Sequence, residues 1–142
     1  MKLKLIYSFC IVLLASMAFS QDCEQIARDC SKYLEGKAGE KKFISDGQVY
    51  TAFLDREKAE FKTTLYGGST YRIAASVGRK ENYVIFTVKD SEGNVLFTNR
   101  KYKNAPYWDF EVANTIQVLV ETELDTDFKV TGCAVMLIGF KQ

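Results

Sequence analysis

The chain has 142 residues, of which 47% are hydrophobic and 26% charged, with 19 basic side chains against 18 acidic ones and no histidine. The balanced charge offers no basic excess for nucleic acid or an anionic membrane surface. The missing histidine removes Ser-His-Asp and Cys-His nucleophile systems, histidine general bases and histidine-ligated zinc hydrolases.

Lys2 and Lys4 open the chain, an apolar run follows from Leu5 to Phe19, and Ala18-Phe19-Ser20 puts small residues just before Gln21. This layout predicts a cleaved secretory signal peptide over residues 1–20. The run falls short of the roughly 20 residues that cross a bilayer, and Tyr7, Ser8 and Ser16 interrupt it. Cys10 lies inside the run and Cys23 follows Ser20-Gln21-Asp22, so neither is placed to carry a lipid anchor. The expected mature protein is one extracytoplasmic domain, residues 21–142, periplasmic or secreted and with no membrane insertion once the leader is gone. Losing Lys2 and Lys4 takes its formal charge from +1 to −1.

Asp22–Leu34 reads as a short helix. Cys23, Ile26, Cys30, Tyr33 and Leu34 share one helical face, Asp22 is positioned to cap the first turn, and Gly36 is a natural stop. That face either packs on a sheet or docks a partner. Three cysteines remain after leader removal, which predicts one disulfide and one free thiol in an oxidising compartment. Cys23 and Cys30 stand two helical turns apart, about 10 Å by helical rise, too far for a bridge within the helix. A bridge from one of them to Cys133 is expected, with Cys30 favoured because Cys23 lies near a fraying terminus, and a Cys23–Cys30 bridge stays open if that terminus is not helical. Three cysteines without histidine do not make the four ligands of a structural zinc site. Lys37 to Lys42, with Glu40, reads as a solvated loop.

From Gln48 the period changes to two. Gln48–Leu54, Ala59–Tyr66, Thr70–Val77, Tyr83–Lys89, Val95–Thr98, Tyr107–Val112, Thr115–Leu124 and Cys133–Phe140 are rich in Val, Ile, Thr, Tyr and Phe and read as strands. Gly, Asn and Asp clusters separate them, and Pro106 precedes a strand without entering one. Tyr71, Ile73, Ala75 and Val77 alternate with polar or small residues and are expected to face inward, as are Val84, Phe86 and Val88, and Ile116, Val118 and Val120. Ala134 to Ile138 is apolar throughout, as suits a central strand covered on both faces, with the helix on one side. The predicted fold is all-β, an antiparallel sandwich of about eight strands with one short N-terminal helix.

Phe61 to Val77, with Phe61, Leu65, Gly68, Tyr71, Ile73 and Ala75, runs strand, glycine turn, strand. It is followed by Val84–Leu96, a strand containing Phe110 and the apolar stretch Gly132–Phe140. This succession resembles the bacterial pre-peptidase C-terminal type of β-sandwich domain, and the chain looks like small secreted proteins of Bacteroidota. The resemblance covers about Val49 to Phe140 and implies a fold and an accessory or binding role. Glu81-Asn82-Tyr83 stands where that family usually carries an acidic pair, and the sequence is expected to act without an attached peptidase domain.

Three groups are candidate sites. Tyr102, Tyr107 and Trp108 surround Asn104-Ala105-Pro106; exposed, they stack on sugars or anchor an interface, whereas Trp108 and Phe110, two apart on a strand, also suit a core. Asp90, Glu92 and Asn94 alternate as oxygen donors around Gly93, as in a start on calcium ligation or in a plain hairpin turn. Glu111, Glu121, Glu123, Asp125 and Asp127 are candidates to supply a carboxylate pair for glycosidase-like chemistry, although Glu121 and Glu123 alternate as a solvated strand face does. Tyr66 and Tyr71 flank Gly67-Gly68 and are explained by strand packing. The sequence thus points to a non-enzymatic binding or accessory protein. Its partner is an envelope protein or a glycan, no cofactor is required and calcium is the one metal considered. A structural or oligomeric envelope component and a carboxylate-only hydrolase are the competing classes.

Overall fold

The computed structural model describes residues 23–78, 82–128 and 131–141. The expected signal peptide, residues 1–20, and Glu81 lie outside the described residues. A helix, α1, spans residues 23–31 and runs into a single 3-10 turn at Lys32–Leu34. Nine strands follow: β1 (Ile44–Ser45), β2 (Tyr50–Asp55), β3 (Ala59–Leu65), β4 (Ser69–Ser76), β5 (Val84–Lys89), β6 (Val95–Thr98), β7 (Tyr107–Val112), β8 (Ile116–Leu124) and β9 (Thr131–Lys141). A second 3-10 turn, Asn99–Tyr102, sits between β6 and β7. Among the described residues no helix is long and apolar enough to cross a membrane.

The strands form two sheets with antiparallel pairing throughout. In one, β9 is central, with β1 and β2 along one side and β4 then β7 on the other; the second runs β3-β8-β5-β6. The alternation read from sequence sets the inner faces. Tyr71, Ile73, Ala75 and Val77 meet Val84, Phe86, Val88, Val118 and Val120 in one core, with Ile116 packed at its margin. Burying each of the larger aliphatic or aromatic side chains contributes about 1.5–3 kcal/mol. Only β1 has no counterpart in the sequence pattern; at two residues it is too short to show a period.

β9 is covered on both faces. Ala134, Met136 and Ile138 enter the inter-sheet core, while Cys133, Val135 and Leu137 turn outward against Ile26, Cys30, Leu34 and Phe43. The apolar face of α1 is therefore spent on the sheet. Gly139 permits the approach: a Cβ there would fall 2.9 Å from the Cβ of Phe43 and 3.0 Å from Leu34 Cδ2.

The disulfide pairing differs from expectation. Cys133 is joined to Cys23, with the Cα atoms 5.8 Å apart, and the free thiol is Cys30. α1 runs in the same sense as β9. Its first turn stands over Cys133, and its second over Val135, whose carbonyl oxygen lies 3.9 Å from Cys30 Sγ. Both cysteines share the sheet-facing side, and the register of helix on strand selects between them. Burial pushes the Cys30 thiol up to about 12.

Arg72 fixes the end of this helical segment. Its guanidinium donates to both oxygens of Asp109 at 2.6 and 2.8 Å and to the carbonyl of Tyr33 at 2.8 Å. It lies between the rings of Phe43 and Tyr107, 4.2 Å from each centroid. The bidentate pairing and ring stacking are the geometry for which a guanidinium is suited.

Candidate functional site at the loop end of the sandwich

The antiparallel path brings three described stretches to one end: residues 82–83 before β5, 99–106 between β6 and β7, and 125–128 after β8. The middle one is built around Asn99, which is completely buried. Its Oδ1 accepts from the Phe86 backbone N–H at 2.9 Å, and its Nδ2 donates to the carbonyls of Val84 at 2.9 Å and Ala105 at 3.0 Å. One side chain thus stitches the start of β5 to both ends of the loop.

The chain then turns through two left-handed residues, Lys103 at φ 54° and Asn104 at φ 52°. Such a conformation costs an ordinary side chain about 1 kcal/mol or more, and Asn tolerates it best among non-glycine residues. The turn is held by the Asn104 N–H donating to the Asn99 carbonyl at 3.1 Å, and by the Asn104 Nδ2 donating to Asp125 Oδ2 at 2.8 Å. Asn82 Nδ2 donates to the Asn104 carbonyl at 3.0 Å, and the Asp125 N–H donates to the Tyr83 carbonyl at 2.7 Å. All three connections are interlocked. Four consecutive side chains, Arg100, Lys101, Tyr102 and Lys103, remain exposed on this fixed backbone.

Beside the loop lies an open cleft of about 650 Å³. Tyr33, Tyr83 and Phe128 form its aromatic walls, Asn82, Asn104 and Asp125 its polar floor, and Arg100 and Lys103 stand at the rim. Tyr83 and Phe128 stack with centroids 5.2 Å apart and planes 15° apart.

The aromatic trio expected near this loop does not form one patch. Adjacent strand residues point to opposite faces, so Tyr107 and Trp108 separate. Tyr107 lies on the helix side, 5.7 Å from Tyr33 and beneath Arg72. Trp108 is half-buried against the inter-sheet core, with Phe97 at 4.9 Å and the exposed Tyr102 at 4.4 Å. Tyr71 is buried and its hydroxyl accepts from the Tyr66 N–H at 3.0 Å.

Asp90, Glu92 and Asn94 come together in the β5–β6 turn. Asp90 Oδ1 accepts the N–H groups of Glu92 and Asn94 at 2.9 and 2.8 Å, and Asp90 Oδ2 accepts from Asn94 Nδ2 at 2.9 Å. These bonds hold Asp90 below the usual carboxylate range, the Asn94 side chain contributing most. They engage both Asp90 carboxylate oxygens within the turn, and among the described residues no group of three or more His, Cys, Asp or Glu side chains is gathered as a metal site.

The carboxylates are distributed rather than paired for chemistry. Glu121 is buried and accepts from Lys58 at 2.7 Å and Lys89 at 2.6 Å. Those two lysines hold it below its ordinary range, whereas a glycosidase acid needs a raised one. Glu123 pairs with Lys58 and Arg100 at 3.7 and 3.2 Å, and Asp125 is engaged by Asn104. Sequence reasoning passed over Asn99 and Phe128, and named Asn82 and Asn104 only as neighbours of other candidates. Asn104-Ala105-Pro106 carried the one readable signal, since Asn before a proline-bearing turn favours the left-handed region.

No family model matches the chain, and no curated protein matches it in sequence. In fold the chain is similar to a crystal structure of Aeromonas hydrophila PliG, a periplasmic lysozyme inhibitor of g-type lysozyme. The TM-score is 0.50 at 9% identity, over 75% of this chain and 91% of that one. At that identity the likeness concerns the arrangement of strands.

Proposed function

We propose that the chain is a non-enzymatic, extracytoplasmic binding protein that engages a protein partner through the Asn99–Asn104 loop. The observation that carries this reading is the fixed backbone beneath four exposed residues, Arg100, Lys101, Tyr102 and Lys103. A loop already held in one conformation avoids much of the ordering cost of association. Arg and Tyr are among the residue types that dominate interface energetics.

Extracytoplasmic location is supported by the leader-like start and the Cys23–Cys133 disulfide. The absence of histidine and the engaged carboxylates support a role without catalysis, and the resemblance to pre-peptidase C-terminal domains also implies an accessory role. The similar fold of a periplasmic inhibitor of g-type lysozyme makes that enzyme class the first partner to test. The experiment is inhibition and direct binding of a g-type lysozyme by the wild type and by a Lys101→Glu/Tyr102→Ala double variant, followed by capture from envelope proteins with the same pair. Binding lost in the double variant supports the loop. The proposal fails when no protein is held by the wild type in preference to the variant.

A further inference from the structure

We infer that the cleft between Tyr33, Asn82 and Phe128 is a saccharide site that takes a neutral oligosaccharide. Sugar rings present two chemistries at once. Their C–H faces lie against aromatic rings, and their hydroxyls need fixed acceptors and donors at close spacing.

Both are present here. Phe128 is 66% exposed and is stacked in near-parallel planes on Tyr83, which holds one exposed ring face in place, and Tyr33 also lines the cleft. On the floor, Asn82 and Asn104 are each fixed through Nδ2, to the Asn104 carbonyl and to Asp125 respectively. Their Oδ1 atoms take no internal bond among the described residues, and no buried side-chain polar atom there lacks a partner. These two oxygens therefore keep solvent access and acceptor capacity, with Lys103 as a donor among the lining residues.

The charges select the ligand class. Arg100 is paired to Glu123 at 3.2 Å, and Asp125 faces the same cleft as Lys103. Among the described residues the lining is close to neutral, which suits a polyol better than a phosphate or a polyanion. The volume of about 650 Å³ falls within the roughly 300–1,000 Å³ of small-molecule sites. The site shares its end of the sandwich with the protein-binding loop but does not use Lys101 or Tyr102, so the two readings stand or fall separately.

The test is an amide chemical-shift titration of the exported protein with three neutral trisaccharides: chitotriose, cellotriose and maltotriose. The expected result is saturable shifts with at least one of them, confined to residues around Asn82, Tyr83, Asn104, Asp125 and Phe128. Phe128→Ala should weaken binding about tenfold, as expected for one lost stacking contact. Phe128→Trp should retain it, and Tyr102→Ala should leave it unchanged. No saturable shift up to about 10 mM, where even a weak site of millimolar Kd fills, overturns the inference. So do equal shifts in wild type and Phe128→Ala. Saccharide binding without any protein partner removes the loop proposal alone, and a protein partner without saccharide binding removes this one alone.

Discussion

Replacing Asn99 by Ala tests whether one buried amide holds the loop end together. Three bonds are lost. The Phe86 N–H loses its acceptor, and the carbonyls of Val84 and Ala105 lose their donor. Phe86 and Val84 are completely buried, so neither backbone group gains water in exchange. A buried group left unsatisfied costs about 1–3 kcal/mol. Two such groups, with a smaller contribution at the half-buried Ala105, put the loss at about 3–5 kcal/mol. Against the 5–15 kcal/mol typical of a whole domain, that is a large fraction.

Asn99→Asp separates donor from acceptor. It keeps an oxygen for the Phe86 N–H but turns a second one toward two carbonyls. Burial raises such a carboxyl above its unfolded value of about 3.9. A raised folded-state value means that protonation favours folding, so the penalty is full at neutral pH and fades as pH falls through that value. Urea unfolding gives the stability change, and an unchanged m-value confirms that the native surface is preserved. Hydrogen exchange at the Phe86 amide reads the local bond. A loss below about 1 kcal/mol, with the Phe86 amide still protected, refutes the view that Asn99 organises this end.

Three further outcomes follow from the packing. Non-reducing peptide mapping should recover Cys23 linked to Cys133, with Cys30 alkylated only after denaturation, since its thiol lies near 12; a Cys30–Cys133 peptide would contradict the helix register. Reduction, which opens a link spanning 110 residues, should cost about 2–5 kcal/mol in urea unfolding. Glu121 is depressed by Lys58 and then Lys89, so its stabilisation is present above its unfolded value of about 4.3 and is lost as pH falls through the lower folded one. Glu121→Gln should flatten that part of the acid limb in a urea series from neutral to about pH 3. Arg72→Leu leaves Asp109 without its bidentate partner and frees the Tyr33 carbonyl; a loss of about 2–4 kcal/mol is expected, and a change below 1 kcal/mol would show that the apolar packing of Phe43 and Tyr107 suffices without the cation.

Much of the fold was legible because its signals are local. Ile73 and Val118 show their faces through a period of two, and the unbroken apolar run at Ala134–Ile138 shows a strand with no solvent face. What the sequence did not disclose depends on registers between distant elements. Cys23 and Cys30 are equivalent by helical periodicity, and only the placement of α1 along β9 distinguishes them. Arg72 looks like an outward polar residue of an alternating strand until Phe43 and Tyr33, both outside the sheet, close over it. The aromatic trio was a different case: Tyr107 and Trp108 are adjacent on one strand, and strand parity alone separates them. Asn99 gives no sequence signal, since a buried asparagine and a solvated turn asparagine are written with the same letter.

The distribution of buried polar groups argues for where function resides. Apolar packing alone is enough to hold two sheets together, and among the described residues the inter-sheet core is built that way, with buried Thr122 packed on Met136 as a polar member. A buried polar network stabilises little beyond what apolar residues achieve, and a single broken member is costly. Its use is to specify one conformation. Asn99, Asn104 and Asp125 are all buried, all engaged with one another's loops, and all at one end. At the opposite end the Asp90–Asn94 turn forms its hydrogen bonds within itself, and the 66–68 turn is joined to β7 and Thr115 through backbone N–H donors, with no buried amide or carboxylate side chain there among the described residues. A sandwich that needed only to fold has no cause to treat its two ends differently. If the proposed loop binds a partner, this asymmetry predicts that substitutions at Asn104 or Asp125 will reduce partner binding by more than their effect on stability accounts for.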